Sequence, residues 1–283
     1  MTDMIIDANS LYARSWFAAQ RISTSPNEPL RLVLQTLLLL LSPRTDRIEE
    51  RIDRILFGWD GAKKVEKNRA DKPPEYHEMK AIVKDALTFI FNVPHAEHPD
   101  YEGDDIVATA VYQTKAEIVY IVSGDKDLMQ LQGGPVRYYC LNQKATLSRQ
   151  FILNKWHIKH PNQLALALAI IGDPVDNIPG IPRWGAKKVQ KLFEHIPPDM
   201  PFEQVVDAID AQVPEELKPA LWESLNRTLL NTDVPGVPEP GLIQLASPKD
   251  VASLGVPGIA GFYDDVWNAY NRRTRNSGAE ELD

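Results

Sequence analysis

The sequence predicts an α/β fold built on a mostly parallel central sheet, followed by a wholly helical region. Three observations carry that reading. Short apolar strands alternate with helical stretches through the first half, each early strand runs into an acidic residue, and strand signals stop at about Ser148.

The first strand is Met4 to Asp7, and a helix through Leu11 and Trp16 to about Gln20 follows it. A second helix covers Leu30 to Leu41, and Ile52 to Trp59 is the next strand, ending in Asp60 with Gly61 turning the chain away. Residues 61–75 are basic and polar and close on Pro73 and Pro74, so they read as a surface excursion. From Tyr76 the spacing of Met79, Ile82, Val83, Ala86, Leu87 and Ile90 is that of one buried helix face. A strand at Val93 leads to Tyr101, and Gly103 to Thr114 is a helix with acids on its first turn. Ile118 to Val122 is a β-branched strand, broken by Ser123 and Gly124 before a helix starting near Asp125. Strands joined by helices in this rhythm form parallel sheets, and such sheets bind ligands beyond the carboxyl ends of their strands. Asp7, Asp60 and Asp125 all belong to that edge.

Beyond Ser148 the helices are Gln150 to Trp156, Leu164 to Ile171, Ala186 to Phe193 and Phe202 to Ile209. Residues from Pro235 are rich in Pro and Gly, and Arg272 to Asp283 has the composition of a solvated tail. The expected division is an α/β region at 1–147 with an excursion at about 61–90, a helical region at 148–240, and a C-terminal extension with a flexible tail at 241–283.

A formal charge of −8 argues against a nucleic-acid partner until its distribution is considered. Nine acids stand in ordered groups: Asp7; Asp60; Glu102, Asp104 and Asp105; Asp125 and Asp127; Asp173 and Asp176. Without them the balance would be +1. Lys63 to Lys84 holds seven basic and four acidic residues, and Arg183 to Lys191 holds four basic residues and no acid. The single Cys140 excludes a disulfide framework and a cysteine-rich zinc site. The longest apolar run, Leu37 to Leu41, is far shorter than the ~20 residues of a membrane span, and no secretory pattern precedes the first strand. A soluble, cytoplasmic protein is expected, without a membrane partner.

Any single acidic pair reads equally well as a helix cap. The set of nine does not. Two carboxylates about 4 Å apart repel by ~4 kcal/mol at an effective dielectric of 20, so a converging cluster needs cations. Oxygen donors suit magnesium, with manganese as a substitute, and this many acids suit two ions. A pair of ions about 3.5 to 4 Å apart is the arrangement for phosphodiester hydrolysis, which needs no nucleophilic side chain. Ser123 is accordingly read as a turn residue, and the six histidines as structural or surface groups.

Ile6-Asp7-Ala8-Asn9, Tyr101-Glu102-Gly103-Asp104-Asp105, Ser123-Gly124-Asp125-Lys126-Asp127-Leu128 and Gly172-Asp173-Pro174-Val175-Asp176-Asn177-Ile178-Pro179-Gly180 follow in that order. In these motifs the chain resembles the 5′ nuclease family over roughly residues 4–240. The resemblance implies a PIN-like nuclease domain with a helical arch at about 61–90 and a C-terminal helix-hairpin-helix at about 173–195. It implies that Asp7, Asp60, Glu102, Asp104, Asp105 and Asp125 serve mainly a first magnesium ion, and Asp127, Asp173 and Asp176 a second. Arg14, seven residues after Asp7, matches a basic position that steers phosphate; its alternative is a surface arginine. Lys67-Asn68-Arg69 resembles the basic signature of the arch, where Lys67 and Arg69 would be catalytic, with Lys63 and Lys64 adding DNA contacts; the alternative is a solvated lysine-rich loop.

Ile178 to Phe193 resembles the hairpin that grips duplex DNA, giving Gly180, Arg183, Gly185, Lys187, Lys188 and Lys191 to phosphate contacts. Arg183 and Trp184 stand where glycine and an aliphatic residue are more usual, and Trp184 is expected to anchor the core. In relatives this hairpin can bind potassium. The implied activity is a structure-specific 5′ nuclease, a flap endonuclease and 5′-3′ exonuclease leaving 5′ phosphates. It would be a monomer in a bacterial or phage-infected cell, acting on DNA with 5′ flaps, nicks or ends and on RNA primers or RNA-DNA hybrids. A PIN-type ribonuclease and a non-catalytic branched-DNA-binding protein are the alternatives.

Overall fold

The computed structural model describes residues 1–23, 25–42, 45, 47–61 and 72–277, with side chains described as far as residue 271. Strand β1 (Thr2–Asp7) passes into α1 (Ala8–Ile22) and α2 (Glu28–Leu41) before β2 (Arg54–Trp59). Helix α3 (Pro74–Phe91) leads to β3 (His95–Glu97), α4 (Gly103–Gln113) and β4 (Ile118–Ser123). After a 3-10 turn at Asp127–Leu131 come β5 (Val136–Cys140) and β6 (Ala145–Leu147). The helices α5 (Arg149–Trp156), α6 (Leu164–Ile171), α7 (Ala186–Phe193), α8 (Phe202–Asp210) and α9 (Lys218–Thr228) follow. The chain then forms β7 (Gly241–Leu242), α10 (Pro248–Ala252) and α11 (Ala260–Ser277).

The sheet runs in the order β3-β2-β1-β4-β5-β6, with β7 pairing β2. Every pairing from β3 to β5 is parallel, and β5–β6 and β2–β7 are antiparallel. Successive side chains of a strand face opposite ways, and both faces are covered. Met4, Ile6, Phe57, Trp59 and Val122 join the core beneath α1, α2, α3 and α11. Ile5, Leu56, Val119 and Ile121 join a second core beneath α4 and the helices after β6. Helix α6, Leu-Ala-Leu-Ala-Leu-Ala-Ile-Ile, is buried on all sides through Ile170, as an apolar helix must be.

Register aligns Ile6 with Phe57 of β2 and with Val122 of β4. Asp7, Asp60 and the loop after Ser123 therefore leave the sheet at one edge. At the opposite edge Arg54 binds fully buried Asp3 through two hydrogen bonds of 2.8 Å, and the Thr114 hydroxyl donates to Asp3 at 2.5 Å. This ion pair fixes β1 against β2 and the end of α4, since losing either partner would strand a buried charge. His95 stacks on Trp59 at 6.0 Å and accepts a 2.9 Å hydrogen bond from its indole N–H. Burial, helped by Lys84, pushes the His95 imidazole down to about 4, so this ring is neutral and structural.

Several elements depart from the sequence expectation. The helix expected near Asp125 is the 3-10 turn at Asp127–Leu131, because Asp125 and Ser123 spend their side chains on backbone amides of the loop. Strands β5 and β6 extend the sheet where no element was read; Val-Arg-Tyr-Tyr-Cys lacks a clean alternation because three of its residues bury aromatic or sulfur side chains. The stretch expected to be an extension returns to the sheet. β7 pairs β2, Tyr263 and Val266 enter the first core, and the Tyr270 hydroxyl donates to the Ile52 carbonyl at 2.8 Å. Helix α11 continues through Arg272–Ser277, the first part of the stretch read as a tail. Within 173–195 the one helix is α7; residues 173–178 form a turn closed by two 2.8 Å hydrogen bonds between Asp173 and Ile178. No helix among the described residues is long and apolar enough to cross a membrane.

Candidate functional site

Asp7 is the last residue of β1 and the N-cap of α1. Its Oδ1 accepts from the Ser10 N–H at 2.9 Å and its Oδ2 from the Ser123 hydroxyl at 2.6 Å. Only 6% of Asp7 is exposed. Burial pushes its carboxyl up to about 7; the two hydrogen bonds oppose this, and the nearby Asp125 and Asp60 carboxylates add to it. Asp60, directly after β2, accepts a 2.8 Å hydrogen bond from the Gly103 N–H. A Cβ on Gly103 would stand 3.0 Å from Asp60 Oδ1 and 3.1 Å from Asn9 Nδ2, so glycine lets the first residue of α4 approach this closely. Glu102 holds the N-cap position of α4, and Asp104 and Asp105 occupy its first turn. Asp105 Oδ1 accepts from the Asn231 N–H at 2.8 Å, tying this turn to the chain after α9.

The loop after β4 is organised by its own side chains. Ser123 Oγ accepts from the Asp125 N–H at 2.9 Å, Asp125 Oδ1 from the Asp127 N–H at 3.0 Å, and Ser10 Oγ from the Gly124 N–H at 2.9 Å. The Tyr138 hydroxyl donates to the Asp125 carbonyl at 2.6 Å. Ser123 thus ends β4, and its hydroxyl braces the loop that follows. Lys126 reaches across to the turn after α6: its Nζ lies 2.5 Å from Asp173 Oδ2, 3.2 Å from Asp127 Oδ1 and 3.8 Å from Asp176 Oδ2. Burial and the Asp125 carboxylate raise the Asp127 carboxyl to about 6 against the pull of Lys126, with Asp176 adding to the rise. Burial also pushes the Asp173 carboxyl up, but bonds from Lys126 and from the Val175 and Asp176 amides outweigh it and hold Asp173 below its ordinary value.

Six of the nine acids therefore fall into two neighbourhoods, and Glu102, Asp104 and Asp105 stand on the α4 turn whose Gly103 N–H binds Asp60. Asp7 interacts with Asp60 and Asp125, beside the α4 turn; Asp127 interacts with Asp125 and Asp176, beside Asp173. Asp125 belongs to both. Among the described residues no three His, Cys, Asp or Glu side chains converge tightly enough to hold a metal ion as they stand. Lys126 stands among the second set. The donor set itself fits a hard cation: all nine groups are carboxylates, Asp127 Oδ1 is buried without a hydrogen bond despite its ion pair with Lys126, and burial has raised two carboxyls.

The basic expectations divide. Arg14 donates to Asn142 Oδ1 at 2.9 Å, and Asn142 Nδ2 donates to the Gly124 carbonyl at 3.0 Å, so Arg14 is fastened to the acidic loop. Lys63, Lys64, Lys67 and Arg69 lie outside the described residues. Gly180 and Arg183 both take left-handed backbone, φ 67° in each. Trp184 packs against the second core, as expected, with Lys188 over its ring at 4.2 Å. Lys187 and Lys191 line a groove of about 540 Å³ between α5 and α7 that also takes in His157, Lys159 and Glu194, and none of the nine acids lines it. Sequence reasoning gave no role to Asn142, Ser10, Asn9 or Lys126. Asn142 sits in a strand-to-strand turn with no motif, whereas Lys126 lay inside one.

Asp7 and Asp127 give the metal-free protein a defined pH response. Both carboxyls lie above their ordinary value of 3.8, so the folded state holds these protons more tightly than the unfolded chain does. That contribution is present in full below the ordinary value and is lost as pH rises through about 6 and about 7. A divalent cation supplies the missing counter-charge, so its stabilising effect should grow across the same window. Melting temperatures in chelator and in magnesium are expected to diverge as pH rises from about 5 to about 8; curves that stay parallel would contradict this. His95 shifts stability the other way but equally in both arms.

A family model described as 5′-3′ exonuclease, N-terminal resolvase-like domain, matches residues 2–157. The DNA polymerase I of Caldicellulosiruptor bescii is 28% identical over 236 residues, covering 76% of this chain and 27% of that protein. A 5′-3′ exonuclease of Aquifex aeolicus is 30% identical over 199 residues, covering 67% of this chain and 68% of the relative. The chain thus spans about 27% of the length of that polymerase. Among solved structures, a bacteriophage T5 flap endonuclease in a complex with DNA and metal ions superposes with a TM-score of 0.60 at 18% identity, covering 95% of this chain and 98% of that one. The catalytic core of Rad2 with a DNA substrate gives 0.57 at 15% identity over 93% and 90%. These two likenesses are of fold.

Proposed function

The chain belongs to the 5′-3′ exonuclease family through its N-terminal resolvase-like domain, and from that premise we propose that it is a structure-specific 5′ nuclease that hydrolyses DNA phosphodiesters with two divalent cations. The observation that supports this best is the meeting of Asp7, Asp60 and the Asp125 loop at the carboxyl edge of a parallel sheet, where burial, with a smaller push from Asp125 and Asp60, raises the Asp7 carboxyl. Such an edge is where parallel sheets bind ligands, and a buried carboxyl held beside other acids marks a place short of positive charge.

In this reading Asp7, Asp60, Glu102, Asp104, Asp105 and Asp125 hold one ion, and Asp127, Asp173 and Asp176 the other, magnesium being the expected metal and manganese its substitute. When bound, such ions supply hydroxide at neutral pH and charge for the departing oxygen. Arg14, held by Asn142, is aimed by that bond toward the same edge and steers the phosphate. Lys67 and Arg69, with Lys63 and Lys64, contact the 5′ strand. Backbone around Gly180, Arg183 and Gly185, with Lys187, Lys188 and Lys191, holds the duplex by phosphate contacts that carry no sequence information; potassium at this turn is part of the same proposal. The protein works as a cytoplasmic monomer on flaps, nicks and ends, including RNA primers.

A 5′-labelled flap duplex incubated with magnesium should be cut near its junction, leaving a 5′ phosphate, and chelation should abolish cutting. Matched RNA flaps and 3′-labelled blunt duplexes form the comparison arms. No cleavage of any DNA arm in magnesium or manganese would overturn the proposal.

A further inference from the structure

We propose that Lys126 is a tethered counter-cation: in the metal-free protein its ammonium stands among Asp127, Asp173 and Asp176 where the second divalent ion binds, and that ion enters by displacing it. This role rests on the two-ion reading of the site. One ammonium meets three carboxylates from two separate segments, the loop after β4 and the turn after α6. Its fit is incomplete. An ammonium has three N–H donors, yet the hydrogen bond of Lys126 to a carboxylate goes to Asp173 at 2.5 Å, while the Asp127 and Asp176 contacts at 3.2 and 3.8 Å are ion pairs. Asp127 Oδ1 remains buried with no hydrogen bond. One ammonium thus holds three carboxylates at unequal distances of 2.5, 3.2 and 3.8 Å, and leaves oxygens that a small divalent ion could draw in more closely.

The electrostatics explain why a cation is needed even without metal. Three carboxylates gathered around one ammonium repel one another at a protein's effective dielectric, and Asp173 and Asp176 belong to a turn that bare repulsion would push away from Asp127. Lys126 removes that repulsion and keeps the turn docked. It gives way once an ion arrives, because magnesium takes carboxylate oxygens at about 2.0–2.1 Å and so claims the space that the ammonium fills among them. The flexible four-carbon stem of lysine and a side-chain exposure of 28% give the ammonium a path to solvent. Lys126 therefore preserves the site and weakens its ion affinity at once.

The test is a manganese titration of the full chain followed by the electron paramagnetic resonance of free ion, in the wild type, Lys126→Met and Lys126→Arg, with thermal melts in chelator alongside. In Lys126→Met the weaker class of site should tighten by roughly fivefold or more, the scale of a partly exposed ion pair lost from the competing state, while the melting temperature in chelator falls. Lys126→Arg should keep both wild-type values. Lys126→Gln replaces the methionine variant if that one does not fold. Weaker-site affinity that is unchanged or reduced in the folded, uncharged variant overturns the displacement role. A wild-type chain that binds fewer than two ions overturns the two-ion reading, and this role with it, a result distinct from two sites of equal affinity in every variant.

Discussion

Replacing Asp125 by Asn is expected to slow flap cleavage by on the order of a hundred- to a thousandfold, the scale of removing one group that stabilises charge in the transition state, without unfolding the chain. The position matters because Asp125 is the acid common to both neighbourhoods, raising Asp7 on one side and Asp127 on the other. Its structural bonds survive the change. The Asp127 N–H can donate to the amide oxygen of Asn as it does to Asp125 Oδ1, and the Tyr138 hydroxyl bonds the backbone carbonyl. What disappears is one negative charge. Single-turnover rates on a labelled flap at saturating magnesium measure the loss, and circular dichroism checks the fold. A rate within twofold of wild type would contradict the assignment.

Gly180→Ala should cost about 3 kcal/mol of stability, from left-handed backbone and a steric clash, and should weaken cleavage at the same time. Gly180 has φ 67°, and a Cβ there would stand 2.6 Å from Gly172 N and 2.7 Å from Gly172 Cα and the Ile171 carbonyl carbon. All three are backbone atoms and cannot swing aside. The residue lies at the crossing where the Gly180 N–H donates to Ser224 at 3.0 Å and the Ile181 N–H to Ile170 at 2.9 Å, just beyond the turn that carries Asp173 and Asp176. Pushing the two strands of this crossing apart moves those acids away from Asp127. Gly236→Ala is the control: φ is 75° but nothing lies within 4 Å, so the backbone term of about 1 kcal/mol acts alone. Urea unfolding of both variants separates the two terms. Equal losses would show that the close approach at Gly180 contributes nothing.

The parts of the fold legible from sequence are those marked by an unbroken apolar run or by periodic burial. β1, β2 and β4 read clearly because all three are apolar runs that end at polar loops, and α3 because its buried residues recur every three or four positions. β7 could not be read: two residues, Gly241 and Leu242, pair with β2 on backbone hydrogen bonds that any side chain permits. Helix α11 was hidden for a different reason. It buries Tyr263, Val266 and Tyr270 on one side but carries Asp264, Asp265 and Asn268 between them, so its composition resembles a solvated segment. The 173–178 turn is stabilised by a backbone bridge between Asp173 and Ile178, which the helix-like spacing of Asp173 and Asp176 does not reveal.

The acids were legible as a set because they recur in ordered groups, most of which follow a strand or open a helix, although Asp173 and Asp176 occupy the turn after α6. Their neighbours were not. Asn142 acquires its place from the antiparallel β5–β6 pairing, 128 residues from the Arg14 it holds. Lys126 was visible inside its motif, but only the fold reveals that it faces Asp173 and not solvent.

Anomalous diffraction from crystals soaked in manganese tests the central claim most directly. Two peaks are expected, one against Asp7, Asp60 and Asp125 and one against Asp127, Asp173 and Asp176, with Lys126 turned away from the second. Absence of any peak within reach of these carboxylates at millimolar manganese would contradict the account.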